Sequence, residues 1–205
     1  MRVAFVAMTE FPEGTRKHDD RPTMALAVEE DVRRAVGGAR KSADLVVASF
    51  HWGEEYSSHP TPFQRRMAAV AAECGADLVL GHHPHVIEGI ELISRTATGG
   101  KPPATGLPDR QLCWRRPALV AYSLGNLVFD QRREATRSGI LLRVRAGREG
   151  VREAVIVPVR IDKCIPRVAT GGEAKAILGE MAQLSAKLGT KVRGDKIFPG
   201  KASPQ

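Results

Sequence analysis

Short apolar runs alternate along the chain with segments of helical periodicity. The apolar runs predict four strands, at Arg2–Met8, Ala43–Phe50, Asp77–Leu80 and Leu119–Tyr122. Apolar residues that recur on one side predict three helices, at Met24–Lys41, with Thr23 as candidate N-cap, at Phe63–Cys74 and at Glu173–Leu188. Strands that alternate with helices indicate an α/β fold, in which most strands lie parallel and the helices cover the sheet.

The second half of the chain departs from this alternation. Residues Val86–Ile93 favour an extended segment, and Ile140–Val144 with Val151–Ile161 predict a β-hairpin that makes the sheet mixed. Residues 94–117 are rich in Gly and Pro, which predicts a loop insertion. The polar residues 191–205 predict a flexible tail. We therefore expect one domain over residues 1–190, followed by that tail.

Composition restricts the class of protein. A chain of 205 residues with 42% hydrophobic content suits one domain with a real core. No apolar run reaches the roughly 18 residues of a membrane span, and residues 1–12 resemble a strand and a loop rather than a signal peptide. Cys74, Cys113 and Cys164 are scattered and form no CxxC motif, so no disulfide framework is expected.

The charge of the chain is strongly positive. The net charge is +8, and arginines contribute much of it. Such a surface suits an anionic substrate or polymer, although a solvated arginine-rich surface with no partner is the plainer interpretation. Specific nucleic-acid binding is not expected, because the chain has no helix-turn-helix pattern, zinc-finger spacing or aromatic-rich basic repeat.

Histidines follow two of the predicted strands. His51 comes at the end of the second strand, and Gly81–His85 follows the third. Strand ends that meet at one edge of a parallel sheet are where α/β folds place their sites, and imidazole is a common metal ligand. We predict a metal site with His51, His83 and His85 as ligands.

The histidine cluster leaves alternatives open. Residues two apart in an extended backbone point the same way, so His83 and His85 could reach one ion while His82 points away. A turn at Pro84 would instead pair His82 with His85. All of these histidines could also be loop residues that make hydrogen bonds only.

Other polar residues near the histidines are candidates for chemistry. Glu54 and Glu55 follow His51, and either carboxylate could orient an imidazole or act as a general base, while a solvated role is at least as plausible for Glu54. Asn126 ends a strand, where its side chain could bind substrate or cap its own turn. His18 and His59 lie in loops and are expected at the surface.

Three sequence blocks together are specific. HWGEEY (residues 51–56), GHHPH (81–85) and YSLGN (122–126) resemble, in this order, the bacterial capsule-synthesis CapA family of the poly-gamma-glutamate biosynthesis type, which is similar to the calcineurin-like metallophosphoesterases. The resemblance implies an αββα sandwich with a two-metal site, in which His51 matches the penultimate histidine block and His83 and His85 match the final H-x-H. Glu55 and Asn126 match recurrent positions, and we take them as candidate catalytic residues.

The resemblance covers only the later blocks of that superfamily. The chain has no D-x-H, G-D or N-H-D/E block, so we expect the N-terminal half of the sandwich to be missing, and a second copy or a partner chain to cover the exposed sheet. The resemblance implies a divalent metal (Mn, Zn or Fe), with two ions in the complete family site, and an association of many members with the cell envelope.

Three functional hypotheses follow. The first is a metal-dependent, phosphoesterase-like hydrolase in capsule or poly-gamma-glutamate biosynthesis. The second is a non-catalytic fragment or binding module for an anionic polymer or partner chain. The third is an independent zinc hydrolase with three histidine ligands and Glu54 or Glu55 as base.

Overall fold

The described part of the chain folds into two β-sheets and three α-helices. A computed structural model describes residues 1–12, 24–95 and 116–199. The first sheet contains β1 (Val3–Thr9), β2 (Leu45–His51), β3 (Leu78–His82), β4 (Ile90–Ile93) and β5 (Ala118–Ala121). The second contains β6 (Ser138–Gly147), β7 (Gly150–Asp162), β8 (Ile165–Val168), β9 (Thr190–Arg193) and β10 (Lys196–Pro199). The helices are α1 (Glu29–Ser42), α2 (Pro62–Glu73) and α3 (Gly171–Ala186), and a short 3-10 helix spans Glu134–Arg137.

The first sheet is mixed. Its strand order is β1-β2-β3-β5-β4, with β4 antiparallel to β5 and the other pairs parallel. The second sheet has the order β6-β7-β10-β9, with β8 on β7, and its pairs are antiparallel. The predicted α/β fold with a mixed sheet is therefore confirmed, but the antiparallel strand of that sheet is β4, and the predicted hairpin (β6 and β7) belongs to the second sheet.

The first sheet is covered on both faces except at β1, where Val3 and Phe5 are exposed. One face packs against α1 and α2, and the cluster there includes Val36, Val46 and Met67. The other face packs against the second sheet and α3, in a cluster that includes Leu45 and Met181. Strands buried on both faces are continuously apolar rather than alternating. This explains why β2 and β3 were easy to recognise in the sequence.

A buried ion cluster fixes the start of β3. Asp77 is fully buried, and its Oδ2 accepts hydrogen bonds from Arg40 Nη1 (2.7 Å) and from the Val46 amide (2.8 Å). Its Oδ1 accepts a third from Arg95 Nη2 at 3.0 Å. One carboxylate thus ties α1 and β2 to β3, which ends at the histidine cluster.

Two predicted boundaries are wrong. Helix α1 begins at Glu29 instead of Met24, because residues 25–27 pair with β1 through Thr9 N to Ala25 O (2.8 Å) and Ala27 N to Thr9 O (2.7 Å). The flexible tail predicted over 191–205 is wrong for residues 191–199, which belong to the β9–β10 hairpin. Side chains such as Val192 are buried there, and this burial outweighs the polar composition.

Some predictions fall outside the described residues. These are Thr23, Cys113, His18, most of the predicted insertion (96–115) and the last residues of the predicted tail (200–205).

Within the described residues, β1 lies at the edge of its sheet with Phe5 exposed at 75%. None of the described helices is long and apolar enough to cross a membrane.

Candidate metal centre

The three sequence blocks interlock around Trp52. Its indole is fully buried, stacks on Phe50 with ring centroids 4.5 Å apart, and donates from Nε1 to the Tyr122 carbonyl oxygen at 2.9 Å. Gly81 passes beside this contact, and a Cβ there would lie only 1.7 Å from the Tyr122 oxygen. The glycine before the histidines is therefore required by the close approach of β3 to the first and third blocks.

The histidine loop is fastened from both sides. The Tyr56 amide donates to the Pro84 carbonyl at 2.8 Å, and Ser123 Oγ donates to the Val86 carbonyl at 2.7 Å. His83 and His85 have φ values of 105° and 62°, so the H-x-H segment is not extended, and the extended alignment we expected is wrong. These hydrogen bonds hold two non-glycine residues in a backbone conformation that residues other than glycine rarely adopt.

The loop brings three donor groups together. Glu55, His83 and His85 each offer one ligand atom, and these atoms lie within 4.8 Å of one another. His85 Nε2 lies 3.9 Å from Glu55 Oε1. Two ligands bound to one zinc ion at about 2.1 Å can be no more than about 4.2 Å apart. The set fits a metal ion after a small contraction, and two imidazoles with one carboxylate are suitable ligands for zinc, iron or manganese.

Asn126 determines the tautomer of His85. Its Nδ2 donates to the Thr136 carbonyl and to Gln131 Oε1, each at 3.1 Å. Its Oδ1 must therefore be the atom that faces His85 Nδ1 at 2.9 Å, so Nδ1 carries the hydrogen. The lone pair of His85 then lies on Nε2, on the side of Glu55. Asn126 is a buried positioning residue in this arrangement.

His51 lies beside this donor set without belonging to it. Its ring centroid is 4.8 Å from that of His83. The ring centroid of Phe11 lies 5.7 Å from that of His51 and 4.4 Å from that of His83. The pKa of His51 is lowered, mainly by partial burial and to a smaller extent by repulsion from His85. The pKa of His83 is also lowered, mainly by burial and to a smaller extent by repulsion from His51. A lowered pKa keeps an imidazole neutral, which is the form that binds metal.

His82 faces the same side of the sheet as His51 and lies outside the donor set of Glu55, His83 and His85. Strand β3 continues through His82, which is in register with His51 on β2. Facing residues of neighbouring parallel strands share one side of the sheet. Both histidines line a cavity of about 410 Å³, which Met8 and Met24 also line.

Several site residues were not found from the sequence. The Arg133 guanidinium lies 4.0 Å from the centroid of the Tyr56 ring, and Phe129 lies 4.9 Å from His85. Gln131 Nε2 donates to Tyr56 Oη at 3.2 Å. Residues 129–133 follow the YSLGN block closely in sequence, and this closeness is the signal from which they could have been predicted as site residues. Glu54, by contrast, is exposed and outside the donor set, and His59 lies at the surface as expected.

Comparison with known proteins identifies the family. The model of the family described as "Bacterial capsule synthesis protein PGA_cap" matches residues 1–131. "PGA biosynthesis protein CapA" of Bacillus subtilis (strain 168) is 34% identical over 131 residues, which are 64% of this chain and 29% of that protein. "Capsule biosynthesis protein CapA" of Bacillus anthracis is 30% identical over 176 residues, which are 83% of this chain and 37% of that protein.

The chain spans about a third of the length of these curated relatives. The match includes all of HWGEEY, GHHPH and YSLGN, the blocks that interlock around Trp52 and hold Glu55, His83 and His85 together. The chain belongs to the bacterial capsule synthesis family PGA_cap.

Proposed function

We propose that this chain carries a divalent-metal site of phosphoesterase type that serves the biosynthesis of a capsule polymer. The observation behind the proposal is the donor set Glu55, His83 and His85, whose atoms lie within 4.8 Å of one another. The relatives named for capsule and PGA biosynthesis supply the biological setting. The proposal gives Glu55 the role of a ligand and Asn126 that of a positioning residue, in place of the catalytic roles predicted for them.

Each residue of the proposed site has a distinct task. His83 and Glu55 provide one imidazole and one carboxylate, while His85 directs Nε2 toward them because Asn126 occupies its Nδ1. His51, in ring contact with His83, is placed to join when the donors contract or a second ion binds. When bound, a divalent cation (Mn, Zn or Fe) would supply Lewis-acid chemistry to a phosphoryl oxygen.

The surroundings favour an anionic substrate. Arg133 is held over the Tyr56 ring, which is itself near His85 with centroids 6.2 Å apart. The guanidinium is therefore fixed close to the proposed site, where it attracts negatively charged groups. Phe129 and Tyr56 flank His85, whose side chain is 19% exposed.

Metal analysis tests the proposal. The purified protein is expected to contain about one equivalent of divalent metal, which His83→Ala and His85→Ala remove because each deletes an imidazole donor. His59→Ala, a surface histidine, is the matched control and should retain the metal. Equal metal content in all three variants would overturn the site.

Hydrolysis of a chromogenic phosphodiester then separates enzyme from binding module. Turnover that disappears in His83→Ala and persists in His59→Ala supports the hydrolase. Metal binding without turnover of any phosphoester would contradict the hydrolase and leave a metal-binding module.

A further inference from the structure

We propose that a cavity beside the proposed metal centre binds a small oxyanion, a carboxylate or a phosphate. The cavity has a volume of about 550 Å³. It lies between the segment that contains Gln131 and Arg132 and the turn from β7 to β8 that contains Lys163. Neither the family match nor the resemblance described above assigns a role to these residues.

The charge of the lining favours an anion. Arg132, Arg137 and Lys163 provide three cations, against the single carboxylate of Asp130. Arg137 is already engaged, because its Nη2 lies 2.5 Å from Asp162 Oδ1. Arg132 and Lys163 are exposed and have no ion-pair partner within the described part of the chain. Both are thus available for a ligand, and a guanidinium can bind two oxygens of a carboxylate or phosphate at once.

The turn that carries Lys163 is built against local preference. Asp162 pairs with Ile165, so only Lys163 and Cys164 connect β7 to β8, and their φ values are 47° and 68°. A two-residue hairpin with positive φ at both positions favours Asn-Gly, because other side chains are strained there. Strained residues cluster at binding sites. A lysine in this position gains no local stability from the turn, but it places a cation at the cavity.

Gln131 joins the cavity to the metal centre. It lines the cavity, its Oε1 accepts from Asn126 Nδ2 at 3.1 Å, and its Nε2 donates to Tyr56 Oη at 3.2 Å. Asn126 in turn contacts His85. A substrate at the metal centre could therefore place a second anionic group in the cavity. This last step rests on the proposed function, whereas binding of an isolated anion does not.

The first test is an anion titration of metal-free protein at low ionic strength. Inorganic phosphate and succinate are titrated separately and followed by calorimetry, so that the two oxyanion chemistries are distinguished. Arg132→Ala with Lys163→Ala should weaken binding of the preferred anion by about tenfold or more, because two charge-assisted contacts are lost. The matched control is Arg143→Ala with Lys175→Ala, which removes the same charges from exposed positions elsewhere. Equal losses in both double variants, or no measurable binding to either anion, would overturn the proposal.

A second variant keeps the test valid if the first destabilises the chain. Lys163→Asn with Cys164→Gly installs the residues that the turn prefers, so the thermal midpoint should rise while anion affinity falls. Unchanged affinity in this folded variant would overturn the role of Lys163. His83→Ala should retain anion binding. Failure of the metal site and failure of the anion site are thus separate outcomes.

Discussion

Asn126 holds His85 in a single tautomer, because its Oδ1 accepts the Nδ1 hydrogen at 2.9 Å. The Thr136 carbonyl, which receives a hydrogen bond from the other end of the same amide, prevents the amide from turning over. One buried side chain thereby decides which nitrogen of His85 is free for a ligand.

The first prediction concerns this contact. Asn126→Ala should lower the affinity for a divalent metal by about 10–100-fold, because His85 loses the partner that orients it. Asn126→Asp keeps an acceptor for Nδ1 and should bind metal more tightly than the alanine variant. The affinities are measured by competition with a chelating dye. An alanine variant that binds as tightly as the unaltered protein would show that Asn126 does not position His85.

The second prediction concerns the glycine before the histidines. Gly81→Ala should prevent normal folding, because the new Cβ would lie 1.7 Å from the Tyr122 carbonyl oxygen and 2.3 Å from Trp52 Nε1. Gly38→Ala in α1 is the control, since a Cβ there meets nothing within 4 Å. It should stabilise the protein by about 0.4–1 kcal/mol. The stability of both variants is measured by chemical denaturation, with circular dichroism as the readout. A stably folded Gly81→Ala variant would contradict the interlocked arrangement.

The third prediction is a dependence of stability on pH. Glu88 is buried, and burial raises its pKa to about 7 despite the hydrogen bond from Gln64 Nε2. The folded state therefore binds more protons than the unfolded state between about pH 4.5 and 7, and the stability from Glu88 falls as the pH rises through this range. The loss is on the order of 3 kcal/mol.

Glu88→Gln removes this titration. The free energy of unfolding of the variant, minus that of the unaltered protein, should be larger at pH 8 than at pH 5. Urea denaturation of both proteins at the two pH values measures this difference. A difference between the two proteins that is the same at both pH values would refute the assignment.

The fourth prediction concerns the buried ion cluster. Asp77→Ala should cost about 3–5 kcal/mol, because the buried guanidinium groups of Arg40 and Arg95 lose their shared carboxylate. Asp31→Ala breaks the exposed pair with Arg34 in α1 and should cost about 1 kcal/mol or less. The free energies of unfolding are compared by urea titration. Similar costs for the two variants would contradict the dominant role of burial.

The sequence was informative where burial and strand ends determine the structure. Strands β2 and β3 are apolar on both faces, and their carboxyl ends placed the candidate histidines near one another. His83 and His85 do come together, but Glu55 completes the donor set and His51 stands beside it. The direction of a side chain at a strand end depends on loop conformation, which strand periodicity does not encode.

The missed features depend on contacts between distant segments. The positive φ of His83 and His85 is held by hydrogen bonds that the Tyr56 amide and the Ser123 hydroxyl donate to carbonyls of the loop, and both residues are remote in sequence. The late start of α1 follows from the pairing of residues 25–27 with β1. Local propensity is a weak guide wherever such tertiary contacts provide the alternative.

The packing of Trp52, Gly81 and Tyr122 has a consequence for how this protein can diverge. The closest obstacle to a side chain at position 81 is the main-chain oxygen of Tyr122, which every residue at position 122 would present. No compensating substitution at position 122 can remove it. Trp52, in contrast, meets the same oxygen through a replaceable side chain. The three positions therefore do not constrain one another equally. Position 81 must stay glycine because the obstacle there is backbone, whereas substitutions at positions 52 and 122 are possible only while position 81 is glycine.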